Sequence, residues 1–399
     1  MNANLVWLES LQGSGIRPGL GRMRAALRAL RHPERAYPSI IVAGTNGKGS
    51  TSATLASILN ASGRLTGLYT SPHLVDLRER WMIDGRMIDD DALDRAVHLL
   101  RQSTKNGMLP TYFEALTLIA FIAFREAECD IAVLEVGMGG RLDATNVVRP
   151  IASLITPIGF DHTEFLGGTL RKIAGEKAGV IHRGAIVLTT NTDRAVVDVL
   201  RRRAEKFANR FIVVKDEHKT PLAGDFQRHN VALAVRAARA LGIDRRAIER
   251  GVAKTRWRGR LERIALGGKQ IWVDGFHNAH AVSAILPFIE KKIPAPRLLV
   301  FGIMRDKPIT SVAQALFPLF EHIITTEPYP PRGATAEDLA ARARRIGIPA
   351  TAEPKPERAF ELALRSAPRS ILIGGSLYLA GAAIAYFDQQ RQRAGKKKK

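Results

Sequence analysis

Cysteine, aromatic side chains and long apolar runs are scarce in this sequence. Cys129 is the only cysteine among 399 residues, so an intrachain disulfide is impossible and a reducing compartment is expected. Aromatic residues make up 6% of the chain, which disfavours the base-stacking platforms of single-strand binders. The longest apolar run, Leu116 to Phe124, is too short to span a membrane, and the N-terminus MNANLVWLESLQ lacks the pattern of a secretory signal. The sequence therefore predicts a cytoplasmic protein with no membrane or nucleic-acid partner.

Acidic residues are also few in comparison with basic ones. The chain has 38 Asp and Glu against 60 Lys and Arg, which gives a formal net charge of +22. Such a surface attracts anions, among them nucleic acid, membranes and small acidic substrates. The basic residues are spread along the chain, apart from a run at Lys396 to Lys399. We interpret most of this charge as a solvated surface and expect residues 394–399 to be disordered.

Two series of short apolar runs alternate with helix-like stretches. The first contains SIIVA, DIAVLEV, ASLIT, AIVLTT and FIVV, and the second contains QIWVDG, RLLVFG, HIITT and SILIGG. This alternation predicts an α/β fold, and 399 residues exceed the usual size of one hydrophobic core. We place the boundary in the charged stretch at 254–262. The expected domains are 1–256, resembling a P-loop ATPase with a mainly parallel sheet, and 257–399, smaller and Rossmann-like, with a ligand cleft between them.

A glycine-rich loop follows the first apolar run. The strand-like Ser39–Ala43 leads into GTNGKGST at 44–51 and then into a helical stretch. Gly47 and Gly49 would let backbone N–H groups approach phosphate oxygens, Lys48 would reach the β- and γ-phosphates of ATP, and Ser50 would ligate Mg²⁺. Gly49 separates Lys48 from Ser50, so the standard G-x-x-x-x-G-K-[ST] pattern is not met. The alternative is a tight turn that happens to contain a lysine.

Further stretches appear in a characteristic order. They are TSPHL (70–74), TYFEALT (111–117), LEVGMGGRLDATN (134–146), DHTEFLG (161–167), EKAG (176–179), WRGRLE (257–262), DGFHN (274–278), FGIMRDKP (301–308) and GSLYLAG (375–381). Together with GTNGKGST they resemble the folylpolyglutamate synthase and dihydrofolate synthase branch of the Mur ligase family. The resemblance implies an ATP- and Mg²⁺-dependent ligase. In such an enzyme a carboxylate attacks ATP to give an acyl phosphate, and the amine of L-glutamate then forms the amide.

The resemblance also implies a metal site and a modified lysine. The implied Mg²⁺ ligands are Ser50, Ser71, Glu135 and His162, although Mg²⁺ prefers oxygen and His162 fits least well. Lys177 corresponds to a lysine that the family carbamylates, and the implied catalytic residues are Lys48, Lys177 and His277. The alternatives are a surface acid at Glu135, a turn former at Ser71, a loop histidine at His162 and a helix-surface lysine at Lys177.

Other positions correspond to contacts with nucleotide, folate and glutamate. Asn230, Arg260 and Asp274 match residues that hold ATP, and His277 and Ser376 match residues that place glutamate. The stretches that match pterin contacts comprise Thr111, Tyr112, Phe113, Glu114, Leu142, Asp143 and Ala144. Helix capping by Thr111 and turn formation by Asp143 are the alternatives.

Three residues depart from the family pattern. Phe276 stands where alanine is usual and would put a bulky ring beside the loop that faces ATP. Phe226 stands where histidine is usual, before Gln227. Arg17 occupies a substrate-binding position that is Asp in some bifunctional enzymes, so dihydropteroate is a less secure acceptor than a reduced folate.

Three other functions compete with a folate ligase. A ligase for uridine-linked muramoyl acids would carry an additional N-terminal domain, whereas about forty residues precede the glycine-rich loop. A nucleic-acid-dependent ATPase would suit the net charge but needs a basic track with aromatic residues. A non-catalytic nucleotide-binding module would leave the implied Mg²⁺ ligands unexplained. We expect a monomer that binds ATP, a folate or dihydropteroate, and L-glutamate.

Overall fold

The computed structural model describes residues 3–15, 17–104 and 108–396, with side chains described through residue 393. These residues form two compact units. The first comprises the described residues of Met1–His73, Leu77–Pro221 and Gln227–Arg256. The second comprises those of Leu74–Asp76, Leu222–Phe226 and Trp257–Lys399. The long segment of the second unit begins where the sequence predicts the domain boundary, whereas no pattern in the sequence marks its two short segments.

The N-terminal unit is built on a mixed sheet that is mainly parallel. Its strands in the described residues are β1 Ser39–Ala43, β2 Thr66–Tyr69, β3 Trp81–Ile83, β4 Arg86–Met87, β5 Ile131–Glu135, β6 Ala152–Ile155, β7 Ile186–Thr189 and β8 Phe211–Val213. Their order across the sheet is β4-β3-β2-β5-β1-β6-β7-β8, and only the pairings of β3 with β2 and with β4 are antiparallel. Strand β1 lies between β5 and β6, so the order of connection reverses there, as at the ligand-binding point of open α/β sheets.

Helices surround this sheet. They are α1 Ala3–Ser10, α2 Gly21–Ala29, α3 Lys48–Ala61, α4 Asp90–Ser103, α5 Tyr112–Glu126, α6 Thr163–Leu166, α7 Leu170–Ala178, α8 Arg194–Glu205, α9 Phe226–Ala240 and α10 Arg245–Lys254. Every residue of α5 from Glu114 to Phe124 is buried, because the helix packs against the sheet and against α2 and α4. The apolar run that is too short for a membrane span is therefore a core helix.

The C-terminal unit has its own sheet and core. Its described strands are β9 Glu262–Leu266, β10 Lys269–Val273, β11 Arg297–Phe301, β12 His322–Thr325, β13 Ala350–Ala352 and β14 Ser370–Gly374. They lie in the order β13-β12-β11-β14-β10-β9, parallel except for the β9–β10 hairpin. That hairpin turns through Gly267 and Gly268, whose φ values of +57° and +74° favour glycine. The helices are α11 Ala279–Lys292, α12 Ile309–Leu316, α13 Ala336–Arg345, α14 Pro356–Arg365 and α15 Leu377–Lys396.

The basic C-terminus begins inside the last helix. The backbone of α15 is helical through Lys396, and Lys397 to Lys399 lie outside the described residues. The expected disorder of residues 394–399 stays a prediction. No helix in the described ranges is both long and apolar enough to cross a bilayer.

Candidate active site

The carboxyl ends of four parallel strands in the N-terminal unit meet at one edge of the sheet. Strand β1 leads into the glycine-rich loop, β2 into Ser71, and β6 into the segment 156–162. Strand β5 ends at Glu135, which pairs with Val42 of β1. We refer to this side of the sheet as the carboxyl edge. It gathers most of the predicted site residues of this unit, as the parallel topology requires.

The glycine-rich loop requires glycine at two positions because two side chains press against it. A Cβ atom at Gly44 would lie 1.8 Å from Thr156 Oγ1, and one at Gly47 would lie 2.2 Å from Asn230 Oδ1. Both glycines also have positive φ, +146° and +88°. The Asn230 side chain donates to Gln227 Oε1 at 2.9 Å, which fixes its position behind the loop. Asn230 therefore shapes the loop from the protein side.

Thr45 ties the same loop to the segment that follows β6. Its hydroxyl donates to the Gly159 carbonyl at 3.1 Å and accepts from the Gly159 N–H at 3.0 Å. Asn191, after β7, supports this segment: its side chain accepts from the Ile158 N–H at 2.8 Å and donates to the Thr156 carbonyl at 2.9 Å. The sequence analysis did not identify Asn191, and no motif marks it.

The loop ends where helix α3 begins. Lys48 is the first residue of α3, and its Nζ donates to the Thr45 carbonyl at 3.2 Å. Ser50 lies in the first turn and is buried. The N–H groups of a first helical turn lack partners within the helix and attract anions. The loop thus ends at a helix N-terminus, as the predicted phosphate-binding loop requires, and its contacts with ATP stay a prediction.

Lys177 is buried against this loop. Only 3% of the residue is exposed, and its Nζ donates to the Gly44 carbonyl at 2.7 Å. Burial, together with the neighbouring charge of Lys48, lowers the pKa of Lys177 to about 7, while Asp161 and Asp143 oppose the shift. The alternative of a helix-surface lysine is therefore wrong.

Glu135 and Ser71 are in contact at the carboxyl edge. The Ser71 N–H donates to Glu135 Oε2 at 3.3 Å, and Glu135 is 5% exposed. Glu135 is thus a buried strand-end carboxylate and not a surface acid. Oxygen donors of this kind suit Mg²⁺. His162 has φ of +48°, and its Nε2 lies 3.8 Å from Asp161 Oδ1.

The TYFE stretch forms a helix cap. The Thr111 hydroxyl accepts from the Glu114 N–H at 3.3 Å, and Glu114 Oε2 accepts from the Thr111 N–H at 2.7 Å, which is a capping box. Arg22 Nε adds an ion pair to Glu114 at 2.9 Å and also donates through Nη2 to the carbonyl of the exposed Arg17. Thr111 and Glu114 therefore fix the helix start. Arg22, which the sequence analysis missed, fastens the N-terminal segment to it.

Tyr112 and Phe113, the two aromatic residues of this stretch, make different contacts. The Tyr112 N–H donates to Ser14 Oγ at 3.0 Å, which is another link to the N-terminal segment. The Phe113 ring lies against Gly137, where a Cβ would come within 2.4 Å of its Cζ, and 6.4 Å from the Tyr69 ring. Phe113 thus meets the loop that follows β5.

Asp143 organises that loop from within. Its Oδ2 accepts from the N–H groups of Gly137 and Met138, both at 3.0 Å. Its Oδ1 accepts from the Thr145 N–H at 3.0 Å and the Thr145 hydroxyl at 2.6 Å. Burial raises the pKa of Asp143, and these hydrogen bonds oppose the rise. The turn-forming role is thus the one that the structure shows. Next to it, Leu142 is 40% exposed, whereas Ala144 is buried.

Asp274 has a similar role in the C-terminal unit. It follows β10, is 3% exposed, and accepts from the N–H groups of Leu261 and Phe276, both at 2.8 Å. Arg260 Nη1 donates to the Gly259 carbonyl at 2.9 Å. The Phe276 ring is buried in the core of this unit, where a Cβ at Gly374 would lie 2.3 Å from its Cε1. The ring thus packs inside this unit, and its effect on a loop that faces ATP stays a prediction.

The predicted glutamate-placing residues of this unit lie near helix starts. His277 Nδ1 is 2.9 Å from the Gly275 carbonyl, directly before Asn278, which caps α11. Ser376 is buried, and its hydroxyl accepts from the Leu379 N–H at 3.0 Å at the start of α15. The structure thus gives Ser376 a capping role that the sequence analysis did not consider.

Known proteins are similar to this chain in sequence and in fold. Residues 42–235 match the Mur ligase middle domain, and residues 259–377 match the Mur ligase glutamate ligase domain. The chain is 32% identical to the dihydrofolate synthase/folylpolyglutamate synthase of Bacillus subtilis (strain 168), over 93% of this chain and 95% of that relative. The chain belongs to the folylpolyglutamate synthase/dihydrofolate synthase family. The family predicted from the motifs is thereby confirmed.

Solved structures of this family confirm the two-domain α/β fold. Escherichia coli FolC in complex with DHPP and ADP has a TM-score of 0.89 and 28% identity, covering 98% of this chain and 99% of that one. Mycobacterium tuberculosis folylpolyglutamate synthase complexed with ADP and AMPPCP has a TM-score of 0.86 and 31% identity, covering 96% and 98%.

Proposed function

We propose that this family member joins L-glutamate to a folate-type carboxylate at the expense of ATP, through an acyl phosphate. The observation that carries the proposal is the carboxyl edge, where a phosphate-binding loop, a buried lysine with a lowered pKa and a buried strand-end carboxylate occur together. Phosphoryl transfer needs positioning and charge neutralisation more than a nucleophile, and these groups supply both.

The residues of the chain have separable tasks in this reaction. The N–H groups of the loop and of the first turn of α3 bind the phosphates, and Lys48 neutralises the charge that develops on the γ-phosphoryl group. The substrate carboxylate oxygen attacks phosphorus and ADP leaves. The glutamate amine then attacks the acyl carbon, loses a proton and expels phosphate. Arg260, Asp274 and His277 stay predicted contacts of nucleotide and glutamate on the strength of the resemblance.

The donor set at the carboxyl edge fits Mg²⁺. Ser50, Ser71 and Glu135 offer hard oxygen atoms, and Glu135 is already close to the Ser71 backbone. When bound, the ion would neutralise charge on the transferring phosphoryl group. His162 stays the least secure of the proposed ligands, since its imidazole is a softer donor.

Lys177 is suited to carbamylation. A pKa of about 7 leaves a large neutral fraction at physiological pH, and the neutral amine is the form that attacks CO₂. The new C–N bond gives a carbamate, and a proton is released. The carbamate would place a negative charge near the positive charge of Lys48. We therefore propose that Lys177 acts as a carboxylate-like group beside the metal.

We favour a folate-type acceptor over a uridine-linked muramoyl acid. The relatives that align over nearly the full chain are dihydrofolate and folylpolyglutamate synthases. The exposed Leu142, on the loop that Asp143 organises, offers an apolar contact for a pterin acid. Dihydropteroate is the second acceptor that we propose. A cytoplasmic, monomeric state stays a prediction from the sequence.

The proposal is tested by phosphate release with ATP, Mg²⁺ and L-glutamate, with each acceptor offered separately. We expect turnover with tetrahydrofolate and with dihydropteroate, and none with a uridine-linked muramoyl acid. The separate acceptor arms also decide whether the enzyme has one activity or two.

A further inference from the structure

The opposite edge of the same sheet, where the parallel strands begin, collects arginines. Arg149 lies just before β6, Arg183 just before β7 and Arg210 directly before β8. Helix α8 adds Arg201 and Arg203. These five residues come from three segments of the chain, at 149, 183 and 201–210, which the fold brings together because β6, β7 and β8 are neighbouring parallel strands. We call them the arginine edge.

Two phenylalanine rings contact three of the five guanidinium groups. Arg203 and Arg183 both lie over the Phe207 ring, with their Cζ atoms 4.7 and 5.8 Å from its centroid. Arg201 lies over the Phe211 ring at 5.1 Å. A guanidinium that stacks on an aromatic ring is held flat and loses less freedom on binding a ligand. A guanidinium plane can also stack on a nucleobase.

No carboxylate neutralises the arginine edge within the described residues. None of its five arginines forms a salt bridge there, and Arg203 Nε is buried with no hydrogen-bond partner. The buried acid on this side of the sheet, Glu34, is already held by His32 at 2.9 Å and Arg35 at 3.3 Å. The arginine edge therefore carries several uncompensated positive charges close together.

The backbone beneath this edge is fixed. The Asn209 side chain donates to the His182 carbonyl at 2.7 Å and accepts from the Gly184 N–H at 2.9 Å. The Val187 N–H donates to the Arg210 carbonyl at 2.8 Å. These hydrogen bonds join the starts of β7 and β8 on both sides of Arg183. The backbone that carries Arg183 and Arg210 is therefore held in place.

A cleft of about 440 Å³ lies on the same side of the sheet. Its lining includes Arg149, Arg35 and the acid Glu34, with apolar surface from Pro38, Val147 and Val148. A cleft with apolar surface and arginines in its lining can take a planar group attached to a phosphate.

We propose that the arginine edge binds single-stranded nucleic acid without sequence preference. Guanidinium groups would bind the phosphates, and bases would stack on their free faces. An acidic protein or a membrane suits this surface less well, because both contacts bury apolar side chains and no large apolar side chain is exposed on this edge among the described residues. Aromatic residues are few, so the sequence analysis predicted no nucleic-acid partner. The fold shows that the few aromatic residues here support arginines.

The test is fluorescence anisotropy with labelled oligo(dT) of about 20 nucleotides and the full-length enzyme, at salt concentrations between about 50 and 200 mM. We expect binding that weakens linearly in log[salt]. The variant Arg149→Gln/Arg183→Gln/Arg210→Gln should bind about 10- to 100-fold more weakly, with a slope reduced by about 2, since each lost phosphate contact removes about 0.7. Glutamate ligation by this variant should be unchanged.

A matched control separates a local surface from the overall charge. The variant Arg28→Gln/Arg246→Gln/Arg345→Gln removes the same charge from exposed arginines elsewhere and should bind as the wild type does. An equal loss in both variants, or salt-independent binding by the wild type, would overturn the proposal. Poly-γ-glutamate of similar length that competes as well as oligo(dT) would assign the edge to carboxylate polymers instead. Binding to anionic vesicles alone would assign it to membranes.

Discussion

The two edges of the N-terminal sheet carry opposite kinds of chemistry on one scaffold. At the carboxyl edge, glycines, Lys48 and two buried ionisable groups, Glu135 and Lys177, surround a phosphate loop. At the arginine edge, arginines lie together and form no salt bridge with the described acids. The first edge is made by contiguous motifs and the second by dispersed residues that the topology collects. The difference predicts that changes at the first edge destroy ligation, whereas changes at the second leave it intact.

The largest effect is expected for Lys48→Ala. Removing the charge that neutralises the γ-phosphoryl group should lower kcat by about 10³-fold. The fold should persist, because Lys48 makes only a hydrogen bond to the Thr45 carbonyl at the start of α3. Phosphate release and circular dichroism measure the two properties. Near-normal turnover would remove Lys48 from the mechanism.

Lys177→Ala should cost about 10²- to 10³-fold in kcat, and small carboxylic acids should restore part of it by occupying the vacated space. If Lys177 is carbamylated, bicarbonate should activate CO₂-free wild-type enzyme. This activation should grow as the pH rises from about 6 to 8, because the neutral amine predominates above a pKa of about 7. A fully active Lys177→Ala enzyme would refute the role.

The same pKa predicts how stability depends on pH. Lys177 is more acidic in the folded state than its ordinary value of 10.5. The unfolded chain therefore binds more protons between pH values of about 7 and 10.5, and burial of this lysine costs stability that is regained as the pH rises through that range. Lys177→Met removes the ionisable group, so the free energy of unfolding of CO₂-free enzyme should rise relative to wild type at pH 7. An unchanged difference between pH 7 and 10 would contradict the assignment.

Glu135→Gln and Asp143→Asn should distinguish the catalytic role of one buried acid at the carboxyl edge from the structural role of another. Glu135→Gln should lower kcat by about 10²-fold and leave the free energy of unfolding nearly unchanged. Asp143→Asn places an amide among three backbone N–H groups, so it should reduce the free energy of unfolding by about 2 kcal/mol and raise KM for the folate acceptor. Urea unfolding and steady-state kinetics would show the contrast, and identical profiles for the two variants would contradict it.

Arg17→Asp should have a smaller and selective effect. Arg17 is exposed, and Arg22 donates to its backbone carbonyl and not to its side chain. The side chain of Arg17 can therefore change without loosening the N-terminal segment. We expect activity on dihydropteroate to rise relative to activity on tetrahydrofolate. An unchanged ratio of kcat/KM values for the two acceptors would remove Arg17 from the choice of substrate.

The sequence indicated much of the carboxyl edge but could not show how its residues are held. Motif order located the loop, Glu135 and Lys177, because the phosphate site depends on contiguous residues. Burial of Lys177 and the support from Asn191 depend on packing between distant segments, which a single sequence does not display. The helix-capping roles of Thr111 and Glu114, in contrast, can be predicted from the sequence, because their spacing is a capping-box pattern.

Short strands account for most of what the sequence analysis missed in the fold. Strand β2 has four residues, and its Gly67 has no room for a side chain, since a Cβ would lie 2.6 Å from the Phe124 ring. The hairpin of β3 and β4 was also missed, although Asp-Gly is a hairpin signal in the sequence. Its Asp84–Gly85 turn has φ values of +50° and +74°. The arginine edge had no pattern at all, because its residues become neighbours only through the order of the strands.

The most direct test of the central claim is phosphate release by wild-type enzyme and by Lys48→Ala with ATP, Mg²⁺, L-glutamate and a single acceptor at a time. The account predicts glutamate-dependent turnover with tetrahydrofolate, slower turnover with dihydropteroate, none with a uridine-linked muramoyl acid, and turnover lower by about 10³-fold in the variant. Turnover with the muramoyl acid and none with either folate-type acceptor would contradict the account.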